Sequence, residues 1–366
     1  MLSLLLAACS PVALAPRVDP TFIEVQLETT QVGSEASPLP FTSDAVSIPL
    51  SLRVLRSDRS PMTDFNGDLA VKVRPGKLQQ DDVVSVTEGV WSGEITLKNG
   101  FGPTRIWLTD EGDRDPDSTR VPSFAAGVTD PIWYAFPTIA EMQATTDHET
   151  NQLVGEFAEL RAADRQIIVA ARDTAGMWVT DVADPPGSGN SLYVYTFSRP
   201  DDELAEGAQL TLLNGIDQEY LASTQISFPT TLTSGESFAV PAPIVLTGDA
   251  ACNDDTMELN EASRVRVEGW QVPSTFTPDS ADYADFEEYG QWPLQLGSCT
   301  VYVESGATAL DFYPPDYAGQ TLGSVEGMLK EIYGKWIIVV IDSEDLDIGS
   351  ATRRRSHHVS TKVLPR

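Results

Sequence analysis

The chain has 366 residues, of which 41% are hydrophobic and 21% are charged, and its net charge is −30. This length and apolar content predict two or three folded domains, since domains usually contain about 100 to 200 residues. The strong negative charge argues against nucleic acid and anionic lipid as partners, because the body of the protein repels both. Apart from these classes, composition leaves the function open.

The first ten residues, MLSLLLAACS, place a cysteine directly after a short apolar run. The run is too short for a membrane-spanning helix, which needs about 20 apolar residues, but it fits a secretory signal. Leu6-Ala7-Ala8-Cys9 resembles the bacterial lipoprotein signal, which implies that Cys9 is acylated and becomes the first mature residue. No Lys or Arg precedes Cys9, so either the start codon is placed too late or the match is due to chance. We predict a signal segment at 1–8 and a flexible tether at 9–20.

Lipidation of Cys9 leaves Cys252 and Cys299 of the three cysteines in the chain. A bond between these two closes a long loop and stabilises the fold by roughly 3 to 4 kcal/mol. Disulfides persist in oxidising compartments, so this pairing agrees with export. The alternative is two reduced, buried thiols in a cytosolic protein. We expect the disulfide, and with it a lipid-anchored protein of the outer membrane or cell surface that meets the membrane only through its N-terminal lipid.

Residues 21–137 alternate between apolar and polar side chains in short runs separated by Gly, Pro, Asn and Asp, which predicts a β-sandwich. The Asn99-Gly100 pair predicts a type I′ hairpin turn, in which both central residues need positive φ. The strand candidates are, in chain order, FIEVQLETT, VSIPLSLRVL, DLAVKVRP and WSGEITLKNGFGPTRIWLTD. Their order resembles the bacterial immunoglobulin-like (Ig-like) domains of surface and adhesion proteins of the invasin type.

The polar stretch 138–152 is predicted as a linker, and residues 153–248 as a small barrel because six strand candidates follow one another without a helix. Two of these candidates, GMWVTD and LYVYT, together with the stretch from Gly215 to Tyr220, are similar to OB-fold modules attached to bacterial extracellular nucleases. The resemblance implies an OB-like barrel. The six candidates are LVGEFAEL, RQIIVAARD, GMWVTDV, SLYVYTFS, AQLTLLNGI and TQISFPT.

An internal repeat predicts a second OB-like barrel at 249–350. After Gly215 and again after Gly327, a glutamate follows at four residues and an isoleucine at eleven. The run DYADFEE within this region is predicted as a solvated loop; the alternative is that its interleaved aromatic residues, Tyr283, Phe286 and Tyr289, cover the barrel mouth. The basic end, 351–366, is expected to be disordered. The fold class predicted is therefore all-β, an Ig-like sandwich followed by two small OB-like barrels.

Catalytic side chains are scarce in the predicted domains. The three histidines, His148, His357 and His358, lie in the linker and the basic end, so no Ser/His/Asp or Cys/His arrangement is expected. We predict no catalytic residues and no enzyme activity. Calcium is the one cofactor candidate, because alternating carboxylates of an acidic loop can converge on a hard cation. An unliganded acidic loop is the alternative; the residues concerned are Asp110, Asp113, Asp115 and Asp117.

Aromatic residues mark the second and third strands of the first barrel, the face on which OB-folds bind oligonucleotides or oligosaccharides. Trp178, Tyr193 and Tyr195, with Phe197 beyond them, are candidates for a ligand face. Alternation puts the last three on one face, which equally suits the barrel interior, and we favour interior packing.

These features favour a non-enzymatic extracellular or outer-membrane lipoprotein that acts as a structural or adhesion-type interaction module. Its partner would be a cell-surface protein or a glycan, and not nucleic acid. The alternatives are a carbohydrate-binding protein that uses the barrel-face aromatics, and a calcium-dependent hydrolase.

Overall fold

The computed structural model describes residues 21–110, 124–145, 150–162, 165–306, 308 and 311–353. The chain divides into two compact units, 1–135 and 136–366. Strands dominate both units, which confirms the predicted all-β class. The first unit is a β-sandwich, and the second contains two small barrels.

Two sheets form the sandwich. One has the strand order β4-β6-β2-β1-β8, and the other has the order β10-β7-β3-β5 with β9 beside β7. The strands are β1 (Thr21–Leu27), β2 (Val46–Leu55), β3 (Gly67–Arg74), β4 (Lys77–Leu78), β5 (Val83–Val86), β6 (Val90–Lys98), β7 (Gly102–Thr109), β8 (Phe124–Ala125), β9 (Gly127–Val128) and β10 (Ile132–Tyr134).

The period-2 pattern of β2 explains how this core forms. Leu50, Leu52 and Val54 are buried between the sheets. Arg53 points outward from the same strand and forms an ion pair with Glu24 of β1, at 2.9 Å. Side chains from both sheets therefore fill one core, as alternation predicts for a sandwich with wet outer faces.

The predicted hairpin at Asn99-Gly100 is wrong, because β6 and β7 belong to different sheets. Asn99 has positive φ, 54°, but Gly100 does not. A Cβ at Gly100 would lie 3.1 Å from the ring of Tyr134 and from the hydroxyl of Thr104. The glycine is needed for close approach where the chain crosses between sheets, and not for a two-residue turn.

The predicted linker contains a short helix, α1 (Ile139–Met142). Thr138 and Glu141 cap it reciprocally, since each side chain accepts a hydrogen bond from the other residue's backbone N–H. Ile139 and Met142 are fully buried. The first part of this stretch therefore packs within the second unit instead of running free, and His148 lies outside the described residues.

The first barrel is a closed ring of five strands, β12-β13-β14-β16-β15, in which β15 pairs back with β12. β14 and β16 are parallel, the other pairs of the ring are antiparallel, and β11 extends the ring beside β15. The strands are β11 (Phe157–Arg161), β12 (Ile167–Arg172), β13 (Gly176–Asp181), β14 (Ser191–Tyr195), β15 (Ala208–Tyr220) and β16 (Ser223–Ser237).

The second barrel repeats this strand order. Its sheet runs β17-β18-β21-β22-β20-β19, with β20 and β22 parallel. Gln271 and Gln295 close the ring, since each backbone N–H donates to the other's carbonyl at 2.9 and 2.8 Å. The elements are β17 (Ile244–Val245), α2 (Gly248–Ala251), α3 (Asp254–Glu258), β18 (Arg264–Glu268), α4 (Tyr283–Tyr289), β19 (Gln291–Leu296), β20 (Cys299–Glu304), β21 (Ser324–Ile332), β22 (Lys335–Val339) and β23 (Leu346–Asp347).

The sequence repeat corresponds to equivalent hairpins of the two barrels. Gly215 in β15 lies against Ile226 of β16, and Gly327 in β21 lies against Ile338 and Val339 of β22. A Cβ at either glycine would overlap the facing strand. Each glycine therefore leaves room for the isoleucine that follows eleven residues later, on the facing strand of the hairpin.

The predicted disulfide is confirmed. Cys252 ends α2 and Cys299 begins β20, with 5.4 Å between their Cα atoms. The bond fastens the helical segment that precedes the second barrel to a barrel strand.

The run DYADFEE is largely helical, forming α4, so its prediction as a loop is wrong. Tyr283 and Phe286 pack against the core of the second barrel, and Gly290 ends the helix at φ 72°. Their spacing of three places both rings on one side of a helix, which an alternation-based search overlooks.

The ends of the chain are described only in part. The predicted signal, the tether and Cys9 lie outside the described residues, as do residues 354–366. Arg353 in the expected disordered end forms an ion pair with buried Asp316, at 2.8 Å. Within the described ranges, no helix has the length and apolar character needed to cross a membrane.

Candidate binding site between the two barrels

Apolar side chains hold the two barrels against each other. Trp178 of β13 packs in a buried cluster that includes Ala170 and Ala171 of β12 and, from the second barrel, Met328 and Ile337. The hairpin turns of the two barrels also meet, since the backbone N–H of Tyr333 donates to the carbonyl of Leu221 at 2.9 Å. This contact sets one wall of each barrel opposite the other.

A cleft of about 540 Å³ opens beside this contact. One wall comes from β13, β14 and the β15–β16 hairpin of the first barrel, and the other from β21 of the second. Its volume lies in the usual range for small-ligand sites, about 300 to 1,000 Å³. The aromatic residues that line it are Trp178, Tyr193, Tyr195, Phe197, Tyr220 and Phe228.

Strand register explains why these rings face the cleft. Leu192 and Val194 of β14 are fully buried, as are Met177 and Val179 of β13, so these side chains occupy the barrel interior. Trp178 pairs with Tyr193 and points the opposite way. Interior packing of the tyrosines, the interpretation favoured from the sequence, is therefore wrong. Alternation fixes which side chains share a face, but it does not say which face is inside.

The rings form an aromatic strip that leads from the barrel contact to solvent. Ring centroids are 4.8 Å apart for Trp178 and Tyr193, 4.4 Å for Tyr195 and Phe197, and 4.8 Å for Phe197 and Phe228. Trp178 is 2% exposed, whereas Phe197 and Phe228 are 55% and 67% exposed. The outer end of the strip thus presents apolar ring surface to a ligand.

Both exposed phenylalanines have backbone conformations that bulky residues rarely adopt. Their φ angles are 63° for Phe197 and 52° for Phe228. Phe228 lies where the register of β15 and β16 shifts, at a bulge beside Pro229. Bulges re-aim side chains near functional sites, and strained backbone concentrates at such sites. Phe228 was not among the residues predicted from the sequence; its position directly before a proline within a strand was the available signal.

Polar groups line the same wall. The hydroxyl of Tyr193 donates to Asp173, at 3.1 Å from Oδ2, and burial raises the pKa of this tyrosine, so it stays protonated. The backbone N–H groups of Ala175 and Gly176 donate to the Asp173 carboxylate. Donors and acceptors for a hydroxylated ligand therefore lie next to the rings.

The described residues of the opposite wall include no aromatic side chain. Lys330 of β21 lines it and forms an ion pair with Glu304 of β20, at 2.9 Å. By their pairing with β22, Tyr302 and Glu304 of β20 are the equivalents of Tyr193 and Tyr195. The second barrel therefore has a carboxylate where the first has the ring of Tyr195. Lys335 lies 5.0 Å from the ring centre of Tyr302. Among the described residues, the aromatic strip therefore belongs to the first barrel alone.

The calcium candidate is described only at its first residue. Asp110 is buried directly after β7, while Asp113, Asp115 and Asp117 lie outside the described residues. Within the described part of the chain, no group of three or more His, Cys, Asp or Glu side chains is arranged to hold a metal ion. The calcium site stays a prediction.

Behind the β15–β16 hairpin lies a group of buried carboxylates that the sequence analysis did not single out. The side-chain amide of Asn151 donates to Asp217 at 2.7 Å and to Glu219 at 2.9 Å. Burial raises the pKa of Asp217 to about 7 and that of Glu261 well above its usual range. Asp217 continues the interior positions of Leu213 and Gly215, so an acid at an inward position of a strand was the available signal.

Comparison with known proteins found no matching family model, no matching curated protein and no matching solved structure.

Proposed function

We propose that this chain is a non-enzymatic, exported interaction protein of the adhesion type, and that the cleft between its barrels binds a glycan. The aromatic strip carries the proposal, because two of its rings, Phe197 and Phe228, expose more than half of their surface beside polar groups. This arrangement moves the carbohydrate-binding alternative ahead of a purely structural module.

The chemistry of the cleft suits sugar rings. A pyranose presents an apolar face of C–H groups that packs flat on an aromatic ring, while its hydroxyls need hydrogen-bond partners at the edge. Gln218 and Gln225 pair across the hairpin and line the cleft, and each amide both donates and accepts. OB-like barrels bind oligosaccharides on this same face.

The charge around the cleft favours a neutral glycan over nucleic acid. Base stacking would also suit an aromatic strip, but single-stranded nucleic acids need a positively charged groove beside it. Of the described residues that line the cleft, Lys330 alone is cationic, and Glu304 neutralises it. Asp173 and Glu331 add negative charge, as does the net charge of −30.

Export is part of the proposal and is supported by two independent features. The Cys252–Cys299 disulfide suits an oxidising compartment. The resemblance of Leu6-Ala7-Ala8-Cys9 to a lipoprotein signal suits attachment to the outer membrane or cell surface through a lipid. Mass spectrometry of the intact protein from the membrane fraction tests acylation at Cys9 directly.

A glycan array with purified protein tests the ligand. We expect retention of a neutral glycan and a loss of affinity of about tenfold or more for Phe197→Ala and Phe228→Ala, which is about 1.4 kcal/mol or more. Phe157→Ala is the matched control, since Phe157 is 47% exposed on β11, outside the cleft. Trp178→Ala is unsuitable, because removing a buried Trp costs about 3 to 5 kcal/mol of stability.

Three results would contradict the proposal. Retention of no glycan, or equal losses for Phe157→Ala and the cleft variants, would remove the ligand assignment. Turnover of the retained glycan would show an enzyme.

A further inference from the structure

The tip of the β15–β16 hairpin separates the cleft from the buried carboxylates. Gln218 pairs with Gln225 and faces the cleft. The neighbouring pairs, Asp217 with Ile226 and Glu219 with Thr224, alternate with it and face the other side. The two strands of the hairpin therefore form a wall of the cleft on one side. On their other side they cover the carboxylates of Asp217, Glu219 and Glu261, which we call the acidic junction.

Two chain segments pack on the acidic side of this hairpin. From before β11, the N–H of Gly155 donates to the carbonyl of Asp217, and the N–H of Asp217 donates to the carbonyl of Glu156, each at 2.9 Å. From before β18, Glu261 accepts a hydrogen bond from the N–H of Thr224 at 3.2 Å. The junction thus joins the hairpin to the beginning of each barrel.

Among the residues that the structure describes, two carboxylate oxygens in the junction have no hydrogen-bond partner, Oδ2 of Asp217 and Oε1 of Glu261. These residues are 0% and 1% exposed. Ionised carboxylates so deeply buried need a cation or donors at every oxygen. Among the described residues, no Lys or Arg forms an ion pair with either one. Each bare oxygen is therefore a place for a proton.

Within the described ranges, the ionisable groups that face these two carboxylates are themselves acids. The charges of Glu156 and Glu219 raise the pKa of Asp217, and those of Glu258 and Glu219 raise the pKa of Glu261. Neutral groups also contact them: Asn151 contacts Asp217, and Ser223 and Thr224 contact Glu261. Of the described residues, these three favour the charged forms through their hydrogen bonds. Burial and neighbouring negative charge both favour the protonated state.

We propose that protons on Asp217 and Glu261 hold the β15–β16 hairpin in the junction, and that losing them above neutral pH loosens the hairpin and with it one wall of the cleft. The loosening itself needs no ligand; its effect on binding rests on the proposed function.

The sign of the pH effect follows from the direction of the shifts. Burial raises the pKa of Asp217 to about 7 in the folded protein, above the value of about 3.9 for an unfolded Asp. Folded protein therefore binds the proton more tightly, and this contribution to stability is complete below about pH 4 and is lost as the pH rises through 7.

Hydrogen exchange of the full chain, read by mass spectrometry at pH 5.5 and 8.5, tests the proposal. After correction for the intrinsic pH dependence of exchange, we expect protection of peptides covering 150–162 and 214–230 to fall about tenfold at pH 8.5, which equals about 1.4 kcal/mol. Peptides from β2 in the sandwich are the internal reference and should not change.

Asp217→Asn and Glu261→Gln keep the shape of each side chain and remove its titration, so we expect each to reduce the pH response and the double variant to abolish it. Asp202→Asn is the control, since Asp202 is fully exposed and should leave the response unchanged. Wild-type protection that does not change with pH would overturn the proposal even if no variant folds. An undiminished response in the double variant would overturn it as well. Because no ligand is present, a negative glycan array leaves this result unaffected.

Discussion

At the scale of residues, the clearest constraint is one glycine in each barrel, Gly215 in the first and Gly327 in the second. Each lacks the side chain that would overlap the facing strand. Gly327→Ala should lower the free energy of unfolding by about 1 to 3 kcal/mol, because the new Cβ overlaps Val339 and Ile338 of β22. Gly215→Ala should do the same in the first barrel. Urea denaturation of each variant measures the loss.

Gly248→Ala is the control for these substitutions. A Cβ at Gly248, in α2, would meet the flexible end of the Leu296 side chain, which can move aside. Alanine also favours helix relative to glycine by about 1 kcal/mol. We expect little change or a small gain in stability. Equal losses in all three variants would show that the two barrel glycines have no special role.

Individual site residues were predictable only in part. The sequence places Tyr193 and Tyr195 on one face, and the structure keeps them together in the cleft. Their orientation depends on Leu192 and Val194, which are equally suited to an outer face in a barrel that packs against a second one. Asp217 was hidden for a different reason, since 54 acidic residues make any one of them inconspicuous.

At the scale of elements, strands followed from alternation wherever one side chain in two is buried. The short helix α4 did not, because its acidic residues obscured the i, i+3 spacing of Tyr283 and Phe286. The crossing at Asn99-Gly100 was equally hidden, because the two residues suit a tight turn and a change of sheet alike. Whether such a segment is a hairpin turn or a change of sheet depends on which distant strands pair with its neighbours. The local sequence does not carry that information.

The disulfide is the element-scale feature with the largest expected effect on stability. Replacing Cys252 and Cys299 with serine opens a loop with a sequence separation of 47 residues. The loss should be about 3 to 4 kcal/mol, because the unfolded chain regains the freedom that the closed loop denies it. Denaturant unfolding of the double variant measures it. Unchanged stability, with two free thiols titratable in the native wild-type protein, would contradict the assignment.

At the scale of the whole molecule, the two compact units have separate cores. Side chains of the sandwich form one apolar cluster, and those of the second barrel form another. The matched strand order of the barrels was predictable from the glycine-to-isoleucine spacing, since that spacing reflects one hairpin repeated. The packing of one barrel on the other was not, because the apolar contact residues look like ordinary strand residues in the sequence.

Separate cores predict two unfolding transitions in calorimetry of the full chain. Replacing both Cys252 and Cys299 should lower the midpoint of one transition, and the other should stay within experimental error, because the bond lies wholly in the second unit. A single transition that shifts as a whole would show that the units unfold as one cooperative body.

The restriction of the aromatic strip to one barrel sets the valency of each molecule. Under the proposed function, the described part of the chain offers one ligand position, so a lone copy in solution should gain nothing from rebinding and release its ligand quickly. Many copies anchored side by side, as the proposed lipid attachment would place them, would face a polymeric glycan at effective concentrations of about millimolar, and avidity would then replace affinity. Firm attachment would then be a property of the coated surface and not of any single molecule.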